Sequence, residues 1–173
     1  MLAPAADRGI DSAASATSSA TSGRGGPNIN TETGLSTDYL NHFTEAVMLL
    51  ELICSMTECL DDLSAWQPKT YPEHFAASRF SNRDALIGAY HAADPVRRDA
   101  LDRASETLNA VLLETRRVVL QHLATPMANE LVRRALDWLR PLIVRTAAVI
   151  NGIQTGAIEQ HDPQAAIDAI FRR

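Results

Sequence analysis

The chain has 173 residues and few of the residue types that mark a cofactor site or a secreted scaffold. Its two cysteines are too few for the disulfide framework of a small secreted domain, so we expect a reducing compartment. There is no nucleotide-binding glycine pattern, no HExxH and no paired CxxC motif. We therefore predict neither a bound metal nor a cofactor.

Long apolar runs and a basic excess are also missing. The densest apolar stretch, Ala46–Cys54, is interrupted by Glu51, whereas a membrane-spanning helix needs about 20 consecutive apolar residues. The chain carries 16 Lys and Arg against 21 Asp and Glu, a net charge of −5. Proteins that bind the nucleic-acid backbone normally have a basic excess. We expect no membrane span and no nucleic-acid partner.

The first 34 residues have little to bury. They hold five of the eight glycines and are otherwise rich in Ala, Ser and Thr. Such a segment cannot offset the entropy lost on ordering, so we predict a disordered tail over residues 1–34. The tail lacks the continuous apolar stretch of a secretory signal. Its composition fits a linker, with an uncleaved export signal as the alternative.

Glycine is almost absent from the rest of the chain, where Gly88 is the only one between Leu35 and Ile150. Apolar residues there recur at spacings of three and four, and no sustained alternation indicates a strand. We predict an all-α antiparallel bundle of about four to six helices over residues 35–160. A short amphipathic helix over residues 161–173 should either close the bundle or dock on another chain, because it is too short to form alone.

Capping residues before prolines predict three helix starts. Asp94, Thr125 and Asp162 each directly precede a proline, which suits the first helical position. The helix after Thr125 should be kinked at Pro141, where the ring removes a hydrogen bond, and should stop at Asn151-Gly152.

The beginning of the bundle is less regular. A first helix should start at Ser36 or Thr37. The Ser-x-x-Glu pattern at Ser55 is typical of a capping box, which leaves open one kinked helix or two helices extending to Trp66. A further helix is expected over residues 82–93.

Histidines provide the candidate chemistry. On a helix, Asp38, His42 and Glu45 share one face, which indicates a histidine between two surface carboxylates, a ligand set, or a phosphotransfer histidine. No glutamate has a histidine three residues later, which excludes the usual di-iron pattern of helical bundles. The alternative functions are therefore phosphotransfer at His42, or binding of a small ligand or metal through His42, Glu45, His74 and His91.

Aromatic residues are scarce at 5%, yet four of the nine Phe, Trp and Tyr residues lie between Trp66 and Phe80. Pro68 and Pro72 should keep much of this connector from forming a regular helix. A connector of this kind caps the bundle core or forms a recognition surface, since aromatic residues dominate binding hot spots. The candidate partner-binding residues here are Trp66, Tyr71, His74, Phe75 and Phe80.

Basic residues are 15 Arg and a single Lys, and they are unevenly distributed. Residues 37–94 hold 3 basic and 9 acidic groups, whereas residues 95–173 hold 11 basic and 9 acidic groups. Either the two halves pair inside the bundle, or the arginines bind an acidic partner through bidentate guanidinium contacts. The arginines of this candidate surface are Arg116, Arg117, Arg133 and Arg134.

Together these features predict a non-enzymatic helical protein-interaction module: an adapter, a regulator or a small subunit of a complex in a bacterial cytoplasm. We expect its partner to be another protein that is acidic or carries an apolar groove. The large apolar helix faces are also compatible with a homodimer.

Overall fold

The computed structural model describes residues 29–153 and 162–171, and within these ranges the protein is all-α. The described residues form seven α-helices, two short 3₁₀ helices and one isolated bridge between Ile29 and Ser36, without a β-strand. The helical bundle predicted from the sequence is confirmed, with one α-helix more than the expected four to six because residues 71–77 also form a helix. The helices are α1 (Asn41–Leu52), α2 (Leu60–Ala65), α3 (Tyr71–Ala77), α4 (Arg83–Ala92), α5 (Pro95–His122), α6 (Met127–Ile150) and α7 (Pro163–Phe171).

The hairpin of α5 and α6 is the framework of the bundle. The Asp94 carboxylate accepts a hydrogen bond from the Arg97 amide at 3.1 Å, and a proline occupies the first helical position, as predicted. Thr125 acts differently from the prediction, because its hydroxyl donates to the His122 carbonyl at 2.7 Å and so closes α5 instead of capping α6. Helix α6 continues through Pro141 without interruption.

The predicted stop of α6 is confirmed. Gly152 has a φ of +71°, a left-handed conformation that glycine adopts without a steric penalty. The Ile153 amide then donates back to the Ala148 carbonyl at 3.0 Å, which completes a glycine-terminated C-cap.

Residues 29–34 belong to the folded body, although the sequence analysis assigned them to the tail. The Thr33 hydroxyl donates to the Ile150 carbonyl at 2.6 Å, and Leu35 is fully buried. These contacts satisfy a free carbonyl at the end of α6, a long-range interaction that composition cannot reveal. The rest of the predicted tail, residues 1–28, lies outside the described residues.

The first helix is broken, so this region forms two helices and not one kinked helix. It ends at Leu52 and resumes at Leu60 after a short 3₁₀ turn. The predicted capping box is not formed, because the Ser55 hydroxyl donates to the Leu52 carbonyl at 3.1 Å. A true capping box begins α3, where Glu73 accepts from the Thr70 amide at 2.8 Å and Thr70 accepts from the Glu73 amide at 3.4 Å. The sequence analysis did not predict this helix.

One hydrophobic core includes side chains from α1 to α7. Ala166 and Ile170 of α7 are buried in it, and α7 packs on both α5 and α6. The C-terminal helix therefore closes the bundle in the described chain. Among the described helices, none combines the length and the apolarity needed to cross a membrane.

Candidate functional site

His42 lies inside the protein, not on the surface where the pattern of its helix face had placed it. Its side chain is 3% exposed, because an extended segment, Trp66–Thr70, crosses this face of α1. We call this segment the strap. The His42 imidazole stacks on the Trp66 indole with ring centroids 4.8 Å apart and planes 20° apart.

His74 of α3 lies next to His42, with ring centroids 5.9 Å apart. The pKa of His42 is lowered to about 4, mainly by burial and in smaller part by the neighbouring His74 and Lys69. Burial and Lys69 also lower the pKa of His74, while the charge and main chain of Asp38 oppose this shift. Both imidazoles are therefore neutral at pH 7.

The four residues of the predicted ligand set do not converge. His42 and His74 come together, but Glu45 on α1 and His91 on α4 are exposed. Within residues 29–153 and 162–171, no group of three or more His, Cys, Asp or Glu residues is arranged to hold a metal ion. The His42 Nε2 atom is nevertheless buried without a hydrogen-bond partner, which is unusual for a polar atom in a protein interior.

The strap is fastened by three side-chain contacts. The Trp66 indole N–H donates to the His42 carbonyl at 3.2 Å, and the Tyr39 hydroxyl donates to the Lys69 carbonyl at 2.8 Å. The Arg116 guanidinium of α5 donates to the Trp66 carbonyl. These contacts join the strap to α1, to the turn before it and to α5.

The aromatic side chains of the connector, predicted as partner contacts, pack within the protein. Tyr71 and Phe75 are buried, and the Tyr71 hydroxyl accepts a hydrogen bond from the Ser36 amide at 2.9 Å. Trp66 is also buried, and Phe80 is half-buried against the core. Of the two predicted roles, the connector fills that of a cap over the bundle core.

The predicted arginines are divided between two helices and have partners within the chain. Arg117 of α5 pairs with Glu114 at 2.6 Å, and Arg133 of α6 pairs with Glu130 at 2.7 Å. Arg134 donates to a carbonyl of α7 at 3.4 Å. The ion pairs of Arg117 and Arg133 lie within single helices of the second half, so they are not the pairing between the two halves that the sequence analysis considered; Arg140 of α6 forms such a pair with Glu51 of α1.

An open groove lies between α5 and α7, and the sequence analysis did not identify it. Its apolar floor includes three half-buried side chains, Leu113 and Leu120 of α5 and Ile167 of α7. Arg116 and Arg117 line its edge, so two of the four predicted arginines belong to it. The spacing of seven between the two leucines was the available signal. The complete lining is Ala110, Leu113, Glu114, Arg116, Arg117, Leu120, Gln121 and Ile167.

Comparison with known proteins gives no relative from which a function could be transferred. A scan against protein-family models finds no match, and searches of curated proteins and of solved structures find no significant match. Function must therefore be inferred from the chemistry of the described residues.

Proposed function

We propose that the protein is a non-enzymatic protein-interaction module and that a segment of its partner binds in the α5–α7 groove. The observation that carries this proposal is the apolar floor, which is open to water and edged by two guanidinium groups. By contrast, the aromatic side chains Trp66, Tyr71 and Phe75 and the imidazole of His42 are packed inside the protein.

The groove fits an amphipathic helix with acidic residues beside its apolar face. Leu113 and Leu120 lie about two helical turns apart, so the floor is long enough to receive the i and i+7 apolar side chains of a bound amphipathic helix. The Arg117 side chain is 56% exposed, so its ion pair with Glu114 is a surface pair of little strength. A partner carboxylate can therefore replace Glu114 at low cost and form a bidentate contact.

The lining of the groove supports binding without catalysis. It offers two arginines, one ion-paired glutamate and one glutamine, and it contains no histidine, cysteine or serine. General acid–base catalysis needs a group whose pKa lies near neutrality, and nucleophilic catalysis needs an activated nucleophile. We further propose a cytoplasmic setting, which agrees with the two free thiols Cys54 and Cys59.

The test compares two exposed arginines that each pair with a glutamate three residues earlier on the same helix; Arg133 also pairs with Asp137. Arg117→Glu changes the groove, whereas Arg133→Glu changes a matched i,i+3 pair that does not line it. A photoreactive amino acid at position 117 should crosslink a protein partner that the same group at position 133 does not. Arg117→Glu should then weaken binding of this partner about tenfold, or ~1.4 kcal/mol, while Arg133→Glu has little effect.

Other outcomes would contradict this site. Equal losses in both variants would indicate a broad arginine surface, and no loss in either would exclude Arg117 from binding. A crosslink only to a second copy of the chain would make the groove a homodimer interface.

A second candidate function is supported by the unpaired His42 Nε2 atom beside His74. It is binding of a metal or small ligand at this pair. Elemental analysis and native mass spectrometry of the purified protein test it. A stoichiometric bound species that is lost in His42→Gln would establish this function, whereas an unloaded protein would exclude it. Phosphotransfer has less support, because the His42 imidazole is enclosed by the strap and α3.

A further inference from the structure

The strap covers the buried imidazole of His42, which lies beside the half-buried imidazole of His74, and the effect of protonation there does not depend on the α5–α7 groove. His42 lies between the Trp66 indole and His74, and it is closed off from water by the strap. We propose that protonation of the His42–His74 pair releases the strap from α1 while the α5–α6–α7 part of the bundle stays folded.

The surroundings of His42 do not compensate a positive charge. His74 from α3 and Lys69 from the strap are the charged or titratable groups that act on its imidazole, and both disfavour a proton there. Asp38, from the turn before α1, acts on His74 instead. Arg116 from α5 donates to the Trp66 carbonyl of the strap. A proton on His42 would therefore be opposed by both groups that act on it, His74 and Lys69.

The lack of a hydrogen-bond partner also disfavours the protonated form of His42. In the imidazolium form both ring nitrogens of His42 carry a hydrogen, and its buried Nε2 atom has no hydrogen-bond partner to accept one. The Trp66 indole face attracts a cation and offsets part of the penalty, but it does not replace a hydrogen bond. The charged ring can gain a partner only if water reaches it, and this requires Trp66 to move away.

Among the histidines of the described residues, the two that lie against the aromatic core are both at this end of the molecule. Among the described histidines, His91 is exposed on α4 and His122 is half-buried at the end of α5, so neither lies in the core. The two ends of the strap are joined to helices, because the Trp66 amide donates to the Asp62 carbonyl and the Thr70 carbonyl accepts from the His74 amide. Side-chain contacts with α1, α5 and Tyr39 hold the strap against the bundle. Loss of the Trp66 contact should therefore open the strap before the long hairpin unfolds.

Fluorescence of Trp66 provides the test. The chain has two tryptophans, so Trp138→Phe leaves Trp66 as the only emitter. Emission maximum, acrylamide quenching and far-UV circular dichroism are followed on the same samples from pH 7.5 to 4. Because the buried Trp66 indole becomes solvated, its emission maximum should shift to longer wavelength and its quenching by acrylamide should rise about twofold or more. The far-UV dichroism of the helices should be retained.

Two histidine variants test whether protonation of His42 causes the change in Trp66 fluorescence. In His42→Phe, which keeps a ring against Trp66 but cannot be protonated, the acid transition should disappear or move to lower pH. His91→Gln, which removes an exposed histidine, should leave the transition unchanged. The proposal is overturned if fluorescence and dichroism change together in one transition, or if His42→Phe keeps the transition of the parent protein. The first of these outcomes can be read on the parent protein even if the variant fails to fold.

Discussion

At the scale of single residues, the two glycines Gly88 and Gly152 differ completely in what they do. Gly152 adopts a left-handed φ of +71° at the end of α6. A Cβ atom there would lie 2.7 Å from the Arg97 Nη1 atom and 3.2 Å from the Thr33 Cγ2 atom. Gly88 is an exposed helical residue of α4, and a Cβ there would meet nothing within 4 Å. One glycine is therefore required by the fold and the other is not.

Substitution of these glycines by alanine should have opposite effects on stability. Gly152→Ala should lower the free energy of unfolding by about 1–2 kcal/mol, because it strains the backbone and crowds Arg97. Gly88→Ala should raise it by about 0.5–1 kcal/mol, because alanine is the better helix former. Urea denaturation of both variants measures this. A neutral Gly152→Ala variant would show that the turn has another conformation.

At the scale of helices and turns, two segments with the same capping-box pattern form different structures. Ser55 and Thr70 both begin a pattern in which a glutamate follows three residues later, yet only Thr70 forms a capping box. The Ser55 hydroxyl instead completes the last turn of α1. The difference arises because Thr70 ends the strap and has extended φ and ψ angles, as an N-cap requires, whereas Met56 takes the N-cap position after the break.

Replacing Thr70 or Ser55 with alanine should change the free energy of unfolding by different amounts. Thr70→Ala should lower the free energy of unfolding by about 1 kcal/mol, since it leaves an amide at the start of α3 without a partner. Ser55→Ala removes an exposed hydrogen bond to the Leu52 carbonyl and should stay within about 0.5 kcal/mol of the parent. Chemical denaturation of the two variants under the same conditions is the measurement, and equal losses would contradict the assignment of the cap.

At the scale of the whole molecule, acidic and basic halves meet in one bundle. Arg140 of α6 pairs with Glu51 of α1, and Arg116 of α5 holds the strap. Tyr71, Phe75 and Trp66, which the sequence analysis offered as partner contacts, are part of the core instead. These three side chains are therefore not available as a contact surface in the folded protein.

The free energy of unfolding should fall in mild acid, because the pKa of His42 is lower in the folded protein than in the unfolded chain. Its pKa in the folded protein is about 4, below the ordinary value of 6.5, so the unfolded chain takes up the proton first as the pH falls. This stabilisation is complete above about pH 6.5 and is lost towards pH 4, by on the order of 3 kcal/mol. His74 adds to the loss in the same direction.

The measurement is urea unfolding at pH 7 and at pH 4.5, in the parent protein and in His42→Phe. The variant should lose less stability than the parent between the two pH values. If both lose the same amount, His42 does not carry the acid sensitivity.

The sequence by itself determined the all-α class, the helix start at Asp94 and the stop at Asn151-Gly152. These features depend on residues within a few positions of each other, so a local pattern contains their full physical cause. Tertiary structure decided the rest. Thr33 reaches the Ile150 carbonyl across 117 residues, and His42 is buried only because the strap crosses it. A helix-face pattern shows which side chains share a side, but burial depends on what the distant chain lays over that side.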